Sequence, residues 1–116
     1  MYTCTQLLQA LESGACDEAL SVLYAPDGGD LEAARSRAIR VTSALLKTFS
    51  PPEDCPAGLF SGPGRTEIGG NHTDHQHGRV LCASVDMDML ACAVPNGTRK
   101  IRIQSEGYPF LEVDLD

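Results

Sequence analysis

Apolar residues recur every three or four positions through the first fifty residues and then at closer, alternating intervals, with the change of period near Pro51-Pro52. Within residues 3–12, Leu7, Leu8 and Leu11 share a helical spacing that Gly14 interrupts. Asp17 is placed to cap a second short helix through Leu23, closed by Pro26 and Gly28-Gly29. Asp30 opens a third and longer helix, with Glu32 in the first turn, where a carboxylate meets the positive end of the helix dipole. Leu31, Ala34, Ala38, Val41, Leu45 and Phe49 draw one apolar stripe along it. Arg35, Arg37, Arg40 and Lys47 fall mainly off that stripe and read as a solvated surface. Ser50-Pro51-Pro52 stops the helix, because proline lacks the amide that would continue it.

The second half has a different pattern. Residues 53–58 read as a loop and Leu59-Phe60-Ser61 as a short strand leading into a Gly-rich loop. Residues 80–94 are apolar apart from Asp86 and Asp88, and their period allows one bent strand or two short ones. Pro95-Asn96-Gly97 marks a turn. Residues 100–104 and 111–115 alternate, with apolar side chains facing a core and acids facing water. Helices first and strands afterwards predict an α+β fold with a mainly antiparallel sheet. The organisation expected is a helical segment over residues 1–52 and a β-rich segment over residues 53–116.

Composition narrows the functional classes. A formal charge of −7 disfavours nucleic acid as a partner, since such partners favour basic surfaces. No apolar run approaches the ~20 residues that span a bilayer, and the first basic residue is Arg35, so a secretory leader is not expected. Five cysteines (Cys4, Cys16, Cys55, Cys82 and Cys92) are widely spaced with no Cys-x-x-Cys pair. They read as small apolar residues in a reducing cytoplasm rather than as a disulfide framework.

The chemistry is concentrated in residues 63–78, Pro-Gly-Arg-Thr-Glu-Ile-Gly-Gly-Asn-His-Thr-Asp-His-Gln-His-Gly, which hold all three histidines of the chain. Glycine permits close backbone approach, while Arg, Asn, His and Asp supply donors and acceptors, a mixture suited to a small polar ligand. On an extended segment His72 and Asp74 point the same way, and a carboxylate at Asp74 accepts hydrogen bonds from adjacent hydroxyls. Asn71 offers both a donor and an acceptor beside them. A metal is the competing ligand, since His72, Asp74, His75 and His77 are the right types. Strand alternation, however, puts the first two and the last two on opposite faces, so no metal site is expected.

This stretch resembles the galactokinase sugar-recognition motif of the GHMP kinase superfamily, roughly Pro-Gly-Arg-Val-Asn-Leu-Ile-Gly-Glu-His-Thr-Asp-Tyr-Asn-Gly-Gly. The matching residues are Pro63-Gly64-Arg65, Gly70, His72-Thr73-Asp74 and Gly78, with Leu59-Phe60-Ser61, Val80-Leu81 and Ser105-Glu106-Gly107-Tyr108-Pro109 similar in the flanks. The resemblance implies the N-terminal part of the GHMP kinase fold, which is like domain 2 of a ribosomal small-subunit protein. It implies Asp74 and His72 as galactose contacts, Asn71 where many members carry Glu, and Arg65 near the phosphoryl-transfer centre. Gly64, Gly69, Gly70 and Gly78 are assigned to backbone geometry. His75 and His77 depart from the family pattern and are not expected to touch sugar.

The activity implied for the full-length family member is phosphoryl transfer from MgATP to the anomeric hydroxyl of galactose. The phosphate loop and catalytic aspartate of the family find no counterpart in these residues. The chain therefore reads as the incomplete N-terminal domain of a larger kinase, inactive alone, binding neither ATP nor magnesium, and able to associate through exposed edges. A non-catalytic galactose-binding or regulatory module is the alternative.

Overall fold

The computed structural model describes residues 1–70 and 74–116, with the side chain of Asp74 also outside the description. The element order is α1 (Cys4–Glu12), α2 (Asp17–Tyr24), α3 (Leu31–Phe49), β1 (Gly58–Gly69), a single 3-10 turn (Asp74–Gln76), β2 (Leu81–Ala93), β3 (Lys100–Ile103) and β4 (Leu111–Asp114). This is the α+β arrangement of helices followed by antiparallel strands. The chain divides into two compact units, Met1–Leu59 with Cys92–Asp116, and Phe60–Ala91. The change of period at residue 52 falls inside the first of them.

In the first unit, α1 starts on a capping box. The Thr3 hydroxyl accepts from the Gln6 amide at 3.3 Å, and the Gln6 side chain accepts from the Thr3 amide at 3.0 Å. Leu7, Ala10 and Leu11 turn inward, and Leu11 is fully buried. Asp30 caps α3 by accepting from the Ala33 amide at 2.9 Å. Its inner face is Ala34, Ala38, Thr42 and Leu45. The small alanines let the other helices approach closely, and the stripe expected through Val41 is shifted one position, to Thr42. That hydroxyl is buried without penalty because it donates to the Ala38 carbonyl at 2.9 Å.

Two local expectations need correcting. Asp17 is not the cap of α2; Cys16 occupies that position, with no side-chain cap bond. Asp17 is instead the first helical residue and pairs with Arg35 of α3, whose Nε lies 2.9 Å from it. Arg35 also holds Glu32 at 2.8 Å. A half-buried guanidinium with two carboxylates is a helix–helix tie, not solvated surface.

β3 and β4 pair antiparallel, Lys100 opposite Asp114 and Ile103 opposite Leu111. One face of this hairpin carries Lys100 and Arg102 bonded to Glu112 at 2.8 and 2.9 Å. The other carries Ile101, Ile103, Leu111 and Val113, all more than a third exposed. No described helix is long and apolar enough to cross a membrane.

Candidate functional site

The second unit is built on the paired strands β1 and β2. Close approaches run Gly62 to Met89, Gly64 to Met87 and Gly70 to Val80. One index rises as the other falls, so the pair is antiparallel. The Ser61 hydroxyl donates to Asp88 across it at 2.6 Å, which accounts for an aspartate being half-buried in a mostly apolar strand. β2 is a single strand of 13 residues, which settles the choice left open by its period.

The motif was expected to lie in a loop between strands. Its first half, residues 63–69, is instead the continuation of β1, and only its second half turns. Pro63 is tolerated there because a two-stranded sheet leaves each strand one unpaired edge, where a missing amide costs nothing. The strand extends because its glycines permit close pairing. A Cβ on Gly64 would come within 2.9 Å of Val85 Cγ2 and 3.1 Å of the Met87 carbonyl oxygen.

Arg65 stands exposed on β1. Alternation puts it on one face with Pro63, Glu67 and Gly69. Roughly 13 Å of strand separates it from Gly69, at ~3.3 Å per residue. Gly70 ends the extended run at φ +127°, a conformation in which a Cβ would sit 2.7 Å from Val80 Cα. At Gly69 a Cβ would meet open space. Asn71 and His72, assigned to sugar binding from the sequence, lie outside the described residues, as does Thr73. Asp74 opens the 3-10 turn that continues through His75 and Gln76. His77 closes it with φ +60°, and exposed Gly78 leads toward β2. The backbone thus gathers Gly69, Gly70, Asp74 and Gly78 at one end of the strand pair, with Arg65 further along it.

Among the described residues no group of three or more His, Cys, Asp or Glu side chains is arranged to hold a metal. The helix N-termini are equally poor sites for a nucleotide phosphate. Asp17 and Glu18 occupy the first turn of α2, and Asp30 and Glu32 the start of α3. Those of α1 are taken by Thr3 and Gln6. Carboxylates at a helix start neutralise the dipole that would attract phosphate.

Compared with known families, residues 46–95 match the model described as the galactokinase galactose-binding signature. This part of the chain is galactokinase-like. Over 81 residues the chain is 33% identical to a galactokinase of Lactococcus lactis subsp. lactis (strain IL1403), covering 66% of this chain and 20% of that protein. The galactokinase of Lactococcus lactis subsp. cremoris (strain MG1363) matches to the same extent, 33% over 81 residues. The aligned region is thus 20% of the length of each relative. No solved structure matches the chain. The signature takes in the end of α3, all of β1 and β2 and the turn between them. Sequence reasoning missed the Ser61–Asp88 bond that clamps the strands beneath the motif. The one available signal was an acid interrupting an apolar strand.

Proposed function

We propose that this chain supplies the galactose-binding part of a galactokinase-like sugar kinase, with Asp74, His72 and Asn71 contacting the sugar hydroxyls. The single observation that carries this reading is the match of residues 46–95 to the galactose-binding signature. Hexose recognition requires acceptors for vicinal hydroxyls, and a carboxylate beside an amide and an imidazole provides them. In the complete reaction MgATP supplies the phosphoryl group that is transferred to the anomeric hydroxyl. The first turns of α2 and α3 carry carboxylates, which supports the reading that the 116 residues alone do not catalyse it. Arg65 contributes a fixed positive charge, held on β1 away from the turn that bears Asp74, which suits it to developing negative charge rather than to ring hydroxyls.

The test is calorimetric and NMR titration of the chain with galactose, with glucose as the control. Galactose is expected to shift the amides of residues 70–78. Asp74→Ala should lower affinity by roughly ten-fold or more, since a charge-assisted hydrogen bond contributes about 1.5–3 kcal/mol. Arg65→Ala should leave binding within about three-fold, at the margin expected of an uninvolved surface substitution. Equal affinity for glucose and galactose, or indifference to Asp74→Ala, would refute the assignment.

A second reading, a galactose-binding module without kinase activity, is favoured by the acidic starts of α2 and α3. The two part on one assay. A galactokinase-like part gains ATP-dependent phosphorylation when joined to the nucleotide-binding portion of a galactokinase, whereas a binding module does not.

A further inference from the structure

The hairpin of β3 and β4 lies within the first unit, and its two outer edges differ. The Leu115 amide donates to the Arg99 carbonyl at 2.9 Å. Backbone direction alternates along a strand, so Leu111, Val113 and Leu115 turn their amides and carbonyls toward β3. Glu112 and Asp114 turn theirs away, to the outer edge of β4. On β3 the same register turns Lys100 and Arg102 outward. The turn before β3 covers the start of that edge. There the Asn96 side chain donates to the Lys100 carbonyl at 2.8 Å, and the Lys100 amide donates to the Thr98 hydroxyl at 3.3 Å. Among the described residues β4 has no such cover, pairs with β3 alone and is exposed along its length. A row of unpaired amides and carbonyls is a template for another strand.

Side chains decide which strand that edge accepts. Glu112 and Asp114 line one face of it, and Leu111, Val113 and Leu115, 51%, 40% and 52% exposed, line the other. β3 shows the complement. Its Lys100 and Arg102 reach Glu112 at 2.8 and 2.9 Å, while Ile101 and Ile103 lie opposite Val113 and Leu111. A strand of the same alternation on the outer edge would set both acids between basic neighbours and continue the apolar face. A second copy of β4 would instead set Glu112 and Asp114 against the same acids. Like charges directly opposite destabilise a strand pair, and a net charge of −7 adds repulsion between copies.

We propose that the outer edge of β4 docks an extended segment of a partner polypeptide in which Lys or Arg alternates with aliphatic residues, as a third strand of this sheet. Backbone hydrogen bonds to Glu112 and Asp114 hold the segment, and the alternation of its side chains gives specificity. The same two acids discriminate against self-pairing. The partner's aliphatic side chains settle beside Leu111, Val113 and Leu115, which removes part of that apolar surface from water.

The test titrates the chain with the synthetic peptide acetyl-Lys-Ile-Arg-Ile-Lys-Ile-amide, followed by NMR. Saturation should slow exchange of the Glu112 and Asp114 amides by about ten-fold or more. The Val113 amide, already turned to β3, should not change. A peptide of the same composition in blocks, acetyl-Lys-Arg-Lys-Ile-Ile-Ile-amide, controls for charge alone and should give no such protection. Asp114→Ala should weaken binding by at most about five-fold, the worth of one cross-strand charge pair. Asp114→Pro also removes an outward amide while leaving the β3–β4 ladder its donors, and should weaken binding about ten-fold further. Equal binding of the block peptide, or protection of the Lys100 and Arg102 amides instead, would overturn the proposal. So would equal affinity of the alanine and proline variants with Val113 still protected. Should proline unpair the hairpin, the block peptide and the place of protection decide alone. Self-association of the chain in sedimentation that Asp114→Pro abolishes would make a second copy the occupant and overturn the proposal too.

Discussion

Replacing Gly70 with alanine tests whether the backbone just ahead of the proposed sugar-contact residues depends on a glycine there. Gly70 has φ +127°, and an added Cβ would stand 2.7 Å from Val80 Cα and Cγ1 and 2.8 Å from the Arg79 carbonyl oxygen. Two of those three neighbours are backbone atoms, so no side-chain rotation relieves the contact. Holding a residue in such a conformation costs about 1–3 kcal/mol, and overpacking adds about 1–3 kcal/mol. The stiffer unfolded chain returns about 0.4–1 kcal/mol, leaving a net loss of roughly 1–5.5 kcal/mol by these figures. No described side chain of residues 60–91 is fully buried, so the loss should appear as local opening rather than global unfolding. Hydrogen exchange is the assay. Amides of β1 and β2 should exchange about five-fold faster or more at that cost, while α1 and α3 stay protected, and galactose affinity should fall in step. Gly69→Ala is the internal control, because Gly69 lies outside the left-handed region and a Cβ there meets nothing within 4 Å. It should change stability by no more than about 0.5 kcal/mol. Indistinguishable behaviour of the two variants, or faster exchange in the helices, would refute the reasoning.

Leu11→Ala empties a fully buried site and should cost about 2–5 kcal/mol in a denaturant melt of the helical unit. Cys4 is raised in the folded protein from its ordinary 9.0 to about 11. The stability this group contributes is complete below pH 9 and is lost as pH rises toward 11, so Cys4→Ala should flatten the alkaline side of a stability–pH profile. Glu112 is lowered from its ordinary 4.5 by its hydrogen bonds to Lys100 and Arg102. Its contribution is present above pH 4.5 and disappears as pH falls through the folded value, and NMR titration should show that depression shrinking in high salt.

The three helices could be read from the sequence because their apolar spacing and their stop signals agree. Asp30, Pro51 and the glycines leave little choice of boundary. The cap of α1 was equally readable, as Thr3 with Gln6 three residues on, but an apolar stripe draws attention away from a short polar box. What periodicity could not supply was pairing. Residues 63–69 look like a loop when read alone, since Pro-Gly-Arg and Gly-Gly are turn compositions. They become strand only because β2 lies alongside, a long-range fact no local window holds. The meeting of Cys4 with Cys55 was hidden for the same reason: it rests on a bridge between the first residues and the segment after α3. At the candidate site the residue types were legible, whereas the side-chain geometry of Asn71, His72 and Asp74 lies outside what is described.

The proposed sugar recognition on such a scaffold carries a thermodynamic consequence. The proposed contact residues lie in sequence between β1 and β2, a two-stranded sheet whose exposed side chains include Phe60, Ile68, Leu81, Met87 and Met89. Isolated two-stranded sheets are marginal in water, so opening of this unit competes directly with ligand binding. If the binding-competent form is only a fraction of the population, the apparent affinity falls by that same fraction. A layer packed onto the exposed apolar side chains would then raise galactose affinity without touching the sugar, by removing the ordering cost. The Gly70→Ala and Asp74→Ala variants separate the two contributions. The first lowers affinity through the population and is compensated by any added packing. The second removes the proposed sugar contact and is not.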